Sequence, residues 1–270
     1  MRDLRSGSPT VSIVMPAFNS ARFISDSVES VRCQQFQNWE LIVSDDGSRD
    51  ETKAIVADLG GADSRICLLA SGANRGPAQA RNAAIEAASG RYVAFLDSDD
   101  LWKPEKLARQ ISFMQKHDLA FTFSSYDRID EGGRFINTHQ AKRPVAYRDL
   151  LKSCVIGCLT AVYDTERIGK VYMPEVRGAE DFGLWLRILK KVDRAVPLPE
   201  SLALYRVRDN SLSGNKLAAA RYTWSTYRNV ENLGLLRSSY YFAHYAAIGV
   251  FNTFARPLVA RWEGASGRQR

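Results

Sequence analysis

Residues Arg91 to Pro104, RYVAFLDSDDLWKP, decide how the chain is read. Tyr92–Leu96 is an apolar, strand-like run that passes directly into Asp97, Asp99 and Asp100. Three carboxylates within four positions repel one another, so a cation must offset them or they must point apart. Asp-x-Asp after a buried strand suits a hard divalent cation, because carboxylate oxygens match Mg²⁺ or Mn²⁺. The same residues also suit a plain acidic turn ahead of a helix.

Upstream, strand and helix patterns alternate. Val11–Met15 is a short apolar run, followed by Ile24, Val28 and Val31 at helical spacing. Glu40–Ser44 reads as a second strand. Ser48-Arg-Asp-Glu51 has the form of a capping box and predicts a helix carrying Ile55, Val56 and Leu59. Ile66–Ala70 is a third strand, and Pro77 opens an Ala-rich helix reaching Ala88. Downstream, Pro104 starts a helix with Leu107, Ile111 and Met114 on one face.

This alternation predicts an α/β fold with a mostly parallel central sheet flanked by helices. Ligands of such sheets bind beyond the carboxyl ends of the strands. The turns Pro16-Ala-Phe-Asn19, Asp45-Asp-Gly-Ser48 and Asp97-Ser-Asp-Asp100 therefore converge on one edge. The second half is less regular. Leu119–Ser125 and Leu202–Val207 read as strands, and Asp130-Glu-Gly-Gly133 as a hairpin turn. Phe182, Trp185, Leu186 and Leu189 mark a helix after Gly178-Ala-Glu-Asp181, and the pattern is mostly helical from Asn215 onward.

The 270 residues are 45% hydrophobic and 25% charged, an ordinary globular composition with room for one large domain and an appendage. MRDLRSGSPT lacks the apolar core of a secretory signal, and a cytoplasmic protein is expected. Cys33, Cys67, Cys154 and Cys158 lack a framework spacing and read as reduced thiols. Cys154 and Cys158 have no His or Cys partner nearby and are expected to be simply buried. His117, His139 and His244 are scattered. The net charge of +7 is uneven: residues 201–270 hold ten Lys/Arg against three Asp/Glu, which leaves residues 1–200 neutral.

Six short segments occur together and in order: Pro16-Ala-Phe-Asn19, Asp45-Asp-Gly-Ser48, Ala80-Arg-Asn-Ala83, Asp97-Ser-Asp99, Glu180-Asp181-Phe-x-x-Trp185-Leu186 and Tyr205-Arg-x-Arg208. In this combination the chain resembles family-2 glycosyltransferases of the GT-A fold. The likeness covers roughly residues 10–215, after a flexible stretch 1–9 and before a helical extension 216–270. It is strongest to bacterial enzymes of cell-surface polysaccharides, including the teichuronic-acid type, where a segment like EDFGLWLRILKK recurs.

The resemblance implies a nucleotide-binding half over 10–103 and an acceptor and catalytic half over 104–215. It places Phe18 against the nucleotide base, with Pro16 and Asn19 shaping the turn beneath. Asp46 accepts from the base and Asp45 positions its turn. Arg81 contacts the nucleotide, Asp97 and Ser98 lie at the ribose, and Asp99 with Asp97 holds Mn²⁺ or Mg²⁺. Asp181 is the general base of an inverting transfer, supported by Glu180, with Trp185 on the acceptor side. Arg206, Arg208 and Ser213 in YRVRDNSLS close over the diphosphate. Related sequences often carry His at the position of Arg208. A UDP-sugar donor and a lipid-linked glycan acceptor are implied, with no nucleic-acid partner.

Two other classes fit less well. A nucleotidylyltransferase places a Gly-rich basic loop after its first strand, where this chain has PAFNSARF. A non-catalytic nucleotide-sugar-binding scaffold is at odds with the presence of both Asp99 and Asp181. Residues 205–270 hold eleven of the 28 aromatic residues beside nearly all-basic charge. Tyr240–Val259 reads either as an amphipathic helix on the anionic inner face of the plasma membrane or as a helix packed on the domain.

Overall fold

The computed structural model describes residues 8–176, 178–208 and 216–251. Ser211, Ser213, Asn215 and the part of Tyr240–Val259 beyond residue 251 lie outside the described residues.

The first half is built from β1 (Val11–Ala17), α1 (Ile24–Arg32), β2 (Trp39–Asp45), α2 (Thr52–Ala62), β3 (Ile66–Ala70), α3 (Pro77–Ala87) and β4 (Tyr92–Phe95). Their strands pair in parallel in the order β3-β2-β1-β4. Ala17 aligns with Asp45, and Val14 with Phe95. The turns after β1, β2 and β4 therefore leave the sheet together, as the sequence predicts. Pro16 is tolerated inside β1 because the β4 ladder stops at Val14↔Phe95.

The second half contains β5 (Leu101–Trp102), α4 (Lys106–Lys116), β6 (Phe121–Ile129), β7 (Phe135–His139), α5 (Tyr147–Leu150), β8 (Val162–Asp164) and α6 (Thr165–Ile168). It ends with α7 (Glu180–Leu189), β9 (Val196–Arg206), α8 (Lys216–Ser225), a π-helical turn Thr226–Val230 and α9 (Leu235–Val250). Here antiparallel pairs join the parallel ones and the sheet is mixed. β8 is antiparallel to β4 and β6, β9 is parallel to β6, and β5 is antiparallel to β9. Among the described residues only one antiparallel pair, β6 and β7, is joined by a short connection, the turn at residues 130–134. On the edge of β6 shared with β8, β7 takes over at Tyr126↔His139.

Side-chain alternation divides the core between the two sheet faces. Val11, Ile13 and Met15 pack with α1 residues Ile24, Val28 and Val31 and with Leu107, Ile111 and Met114 of α4. Val14, Ile42 and Phe95 face the other way, toward Phe182, Trp185 and Tyr227. Lys106 is fully buried, with Nζ donating to Gln110 Oε1 at 2.6 Å and lying 4.6 Å from the Trp102 ring centroid.

One local reading is corrected. Helix α2 begins at Thr52, not Ser48, because the Ser48 hydroxyl accepts from Asn19 N at 2.9 Å and is unavailable as a cap. Asp50 Oδ1 receives Thr52 N instead, at 3.1 Å. Asp100 turns away from α4, its Oδ1 accepting from Arg206 N at 2.8 Å.

Helix α8 and the π-helical turn pack on the domain. Tyr227 is fully buried and donates to Leu151 O, and Lys190 Nζ pairs with Glu231 at 2.6 Å. Gly178, at φ +76, leaves room for Tyr222, whose ring carbons would lie 2.4 Å from a Cβ there. Among the described residues no helix is long and apolar enough to cross a membrane. Helix α9 nonetheless exposes Leu235, Leu236 and Tyr240.

Candidate active site

The first two polar turns are stapled together. Asn19, in the left-handed region at φ +49, receives Arg49 N on Oδ1, while its own N–H goes to Ser48 Oγ. Phe18 stands at the tip, 46% exposed. Asp45 is fully buried and accepts from Gly47 N and Ser48 N, which supports the turn-positioning role read for it. Gly47, at φ +79, permits that geometry. Asp46 differs from the direct base contact expected of it. It is 5% exposed, and its two oxygens accept from Arg75 N at 2.8 Å and Gly76 N at 2.7 Å, so it fixes the loop leading into α3.

Each carboxylate of the acidic turn meets an arginine, so the cation that the sequence calls for is supplied by the chain itself. Arg81 Nη2 donates to Asp97 Oδ1 at 2.5 Å, and Arg208 Nη1 to Asp99 Oδ2 at 3.0 Å. Asp100 accepts the Arg206 backbone N–H, while the Arg206 side chain donates to Asp99 O and Glu131 O. Arg206 is 5% exposed and lies over the Phe23 ring at 4.7 Å. Its guanidinium is thereby committed to the turn rather than to a diphosphate. Arg208 remains accessible. Ser98 Oγ and Ser20 Oγ lie 2.7 Å apart, which ties the acidic turn to the first one. Burial, then the neighbouring Asp97 charge, raises the Asp99 carboxyl, and the same causes raise Asp100 well above the ordinary range.

Arg81 also carries the link to α7. Its Nη1 reaches Glu180 Oε1 at 3.3 Å, so one guanidinium joins the acidic turn to the first residue of that helix. Among the described residues, Glu180 Oε2 is buried without a hydrogen-bond partner. Asp181 beside it faces the cleft, and Phe182 N donates to its Oδ1 at 2.7 Å. Burial, then the Glu180 charge, pushes the Asp181 carboxyl up to about 6, with Arg81 opposing. A carboxylate so placed is a stronger base than an exposed one and is still ionised at neutral pH.

These groups line a cleft of about 700 Å³. Several of its walls were not read from the sequence. Tyr126 and His139, stacked at 4.9 Å, form one side, and Tyr222, Tyr227 and Tyr245 come from beyond residue 215. The aromatic enrichment of the tail was the available signal for the last three. Cys154 and Cys158 also reach the cleft rather than being simply buried, and desolvation raises both thiols, which keeps them protonated. Trp185 must be corrected. It is fully buried, its ring centroid 5.4 Å from those of Phe95 and Phe121, so it belongs to the core and touches no acceptor.

Asp97 and Asp99, with side chains 28% and 27% exposed on the cleft, offer the hard oxygens that Mg²⁺ or Mn²⁺ prefers. Among the described residues no group of three or more His, Cys, Asp and Glu makes a complete cage. The residues fit a metal completed by oxygens of a ligand.

Residues 12–165 match the family model described as Glycosyl transferase family 2. The chain is 42% identical over 242 residues to Bacillus subtilis (strain 168) TuaG, provisionally named a teichuronic acid biosynthesis glycosyltransferase, covering 88% of this chain and 95% of that one. It is 40% identical over 245 residues to Escherichia coli WfgD, a UDP-Glc:alpha-D-GlcNAc-diphosphoundecaprenol beta-1,3-glucosyltransferase, covering 89% and 93%. Among solved structures, S. aureus TarS in complex with UDP superposes with a TM-score of 0.67 at 21% identity, over 92% of this chain and 73% of that one. The Pyrobaculum calidifontis mannosyltransferase PcManGT, in complex with GDP-Man and Mn²⁺, gives 0.63 at 18% identity, over 97% and 81%. With the parallel nucleotide-type half, the mixed half and the acidic cleft between them, the chain belongs to glycosyltransferase family 2 and has the GT-A fold.

Proposed function

We propose that the protein is an inverting glycosyltransferase that moves a sugar from a UDP-sugar to a hydroxyl of a lipid-linked glycan during assembly of a surface polysaccharide. The observation that carries this reading is Asp181, raised to about 6 on the wall of a cleft whose floor is the acidic turn. The teichuronic acid role named for TuaG supports the pathway, and the diphosphoundecaprenol-linked acceptor of WfgD supports a lipid-linked one. TarS complexes with UDP and UDP-GlcNAc support the donor class.

In the proposed step Asp181 takes the proton of the acceptor hydroxyl. The freed oxygen bonds to the anomeric carbon while the bond from that carbon to the diphosphate oxygen breaks, and UDP leaves with the electron pair. One displacement inverts the configuration. Glu180, held by Arg81, sets the orientation of the α7 N-terminus. Arg208 lies at the accessible end of the turn, where it can take a phosphate oxygen in place of Asp99. Phe18 offers a face to the base. Asp99 and Asp97 would hold Mn²⁺ or Mg²⁺, which when bound neutralises charge on the departing diphosphate. Exposed Leu235, Leu236 and Tyr240 on α9 give the protein a place to rest on the inner face of the plasma membrane.

The test is UDP, GDP or dTDP release from a panel of nucleotide sugars with Mn²⁺. Release from a UDP-sugar, abolished by EDTA and restored by Mn²⁺ or Mg²⁺, is expected. Release from no UDP-sugar would remove the reading. Deleting residues 236–270 and fractionating a lysate tests the membrane contact, with a shift to the soluble pool expected.

A further inference from the structure

A second cavity of about 280 Å³ adjoins the cleft. His139 and Val155 line both spaces, and Lys142 and Arg143 complete the wall of the second. Its position follows from β7, which ends at His139 and hands the chain to residues 140–143 beside the cleft. Lys142 and Arg143 are exposed, and among the described residues neither forms an ion pair. No carboxylate lines this cavity. The main cleft, by contrast, is lined by Asp97, Asp99, Asp100, Glu180 and Asp181.

We propose that the second cavity binds the diphosphate of the acceptor, a sugar 1-diphosphate carried on a lipid, through Lys142 and Arg143. This rests on the glycosyltransferase reading above. An acceptor of that class carries its attacked hydroxyl and its diphosphate on different carbons of one sugar ring, so the two groups reach different parts of the protein. With the hydroxyl at Asp181, the acidic floor repels the diphosphate and favours a basic neighbour outside it. In the main cleft Arg81 and Arg206 are already committed to Asp97, Glu180 and the turn backbone, and Arg208 stands on the donor side. Lys142 and Arg143 are the basic pair across the His139 and Val155 wall, and a guanidinium fork suits phosphate oxygens. The volume of about 280 Å³ is enough for a diphosphate.

The test uses the full chain saturated with UDP and Mn²⁺, so that the donor site is filled. Two probes are titrated calorimetrically: α-GlcNAc 1-diphosphate bearing a short alkyl chain, and the matching alkyl glycoside without phosphate. The diphosphate probe is expected to bind at least about tenfold tighter, the scale of charge-assisted hydrogen bonds. Lys142→Gln with Arg143→Gln removes that advantage while the glycoside binds as before, and Lys142→Arg with Arg143→Lys keeps it. Equal binding of the two probes to the wild type, or an advantage that survives in the Gln variant, would overturn the proposal. So would inorganic pyrophosphate binding as tightly as the sugar-linked probe, since the site would then serve free anions. UDP release from UDP-sugars is measured separately. Failure there removes the glycosyltransferase reading, whereas failure of the probe contrast removes only the subsite.

Discussion

Arg208 Nη1 lies 3.0 Å from Asp99 Oδ2, so the chain places its own cation on the carboxylate best situated to receive a metal. Arg81 on Asp97 and the Arg206 backbone on Asp100 complete the set. The repulsion among the three aspartates is thus offset within the protein. On the proposed reading, a donor and its metal would meet a turn already ordered by arginines and would compete with Arg208 for Asp99.

Removing that competitor has a measurable consequence. Arg208→Ala is expected to tighten Mn²⁺ binding by the donor-free protein roughly two- to fivefold, the scale of a partly exposed ion pair, read from the electron paramagnetic resonance of free Mn²⁺. UDP affinity should fall in the same variant. An unchanged Mn²⁺ affinity would show that Arg208 does not guard Asp99.

Arg81 is a different case, because it is only 7% exposed and serves two carboxylates. Arg81→Met leaves Asp97 and Glu180 without their shared counter-charge, at a cost of about 3–5 kcal/mol. Urea unfolding at neutral pH measures this, with Arg81→Lys, which keeps the charge, expected to recover part of the loss. An equal loss in both variants would point to packing instead.

Burial lowers the Lys106 ammonium to about 7. The folded state thus prefers the neutral amine, and its stability falls as pH drops from the unfolded value near 10.5 through 7. Lys106→Met should therefore stabilise the protein at or below pH 7, by roughly 2–4 kcal/mol. The gain should vanish above pH 10.5. A gain independent of pH would show that the methionine acts through packing alone.

Much of the nucleotide-type half was legible because its signals are local. Ile66–Ala70 and the start at Pro77 match β3 and α3, since apolar runs and an N-terminal proline act over a few residues. The start of α2 was misread because Ser48 bonds to Asn19, 29 positions away. The resemblance places Trp185 on the acceptor side, whereas Phe182, Trp185 and Leu189 form a helical core stripe that argues for burial. The arginine pairings of the acidic turn span 16 to 109 positions, and no periodicity encodes them. The second cavity was equally hidden, because it depends on β7 replacing β8 along β6.

The raised Asp181 carboxyl makes two linked statements about pH. As a base it must be ionised, so kcat/KM should rise with pH to a plateau above an acid limb near 6. The same shift costs stability once Asp181 ionises: the folded state favours the protonated form, so its contribution is full below the unfolded value of about 3.9 and lost as pH rises through 6. Asp181→Asn should then stabilise the fold above pH 6, on the order of 1–3 kcal/mol, and little below pH 4. A melting curve across pH that shows no such difference would contradict the desolvated environment assigned to this residue.

The most direct test compares turnover with donor binding in Asp181→Asn. Sugar transfer should fall by about 10²–10⁴-fold, the contribution of a general base, while UDP-sugar affinity in Mn²⁺ stays within a few fold of wild type. Near-normal transfer by Asp181→Asn, or a loss explained entirely by weaker donor binding, would contradict the assignment of Asp181 as the base.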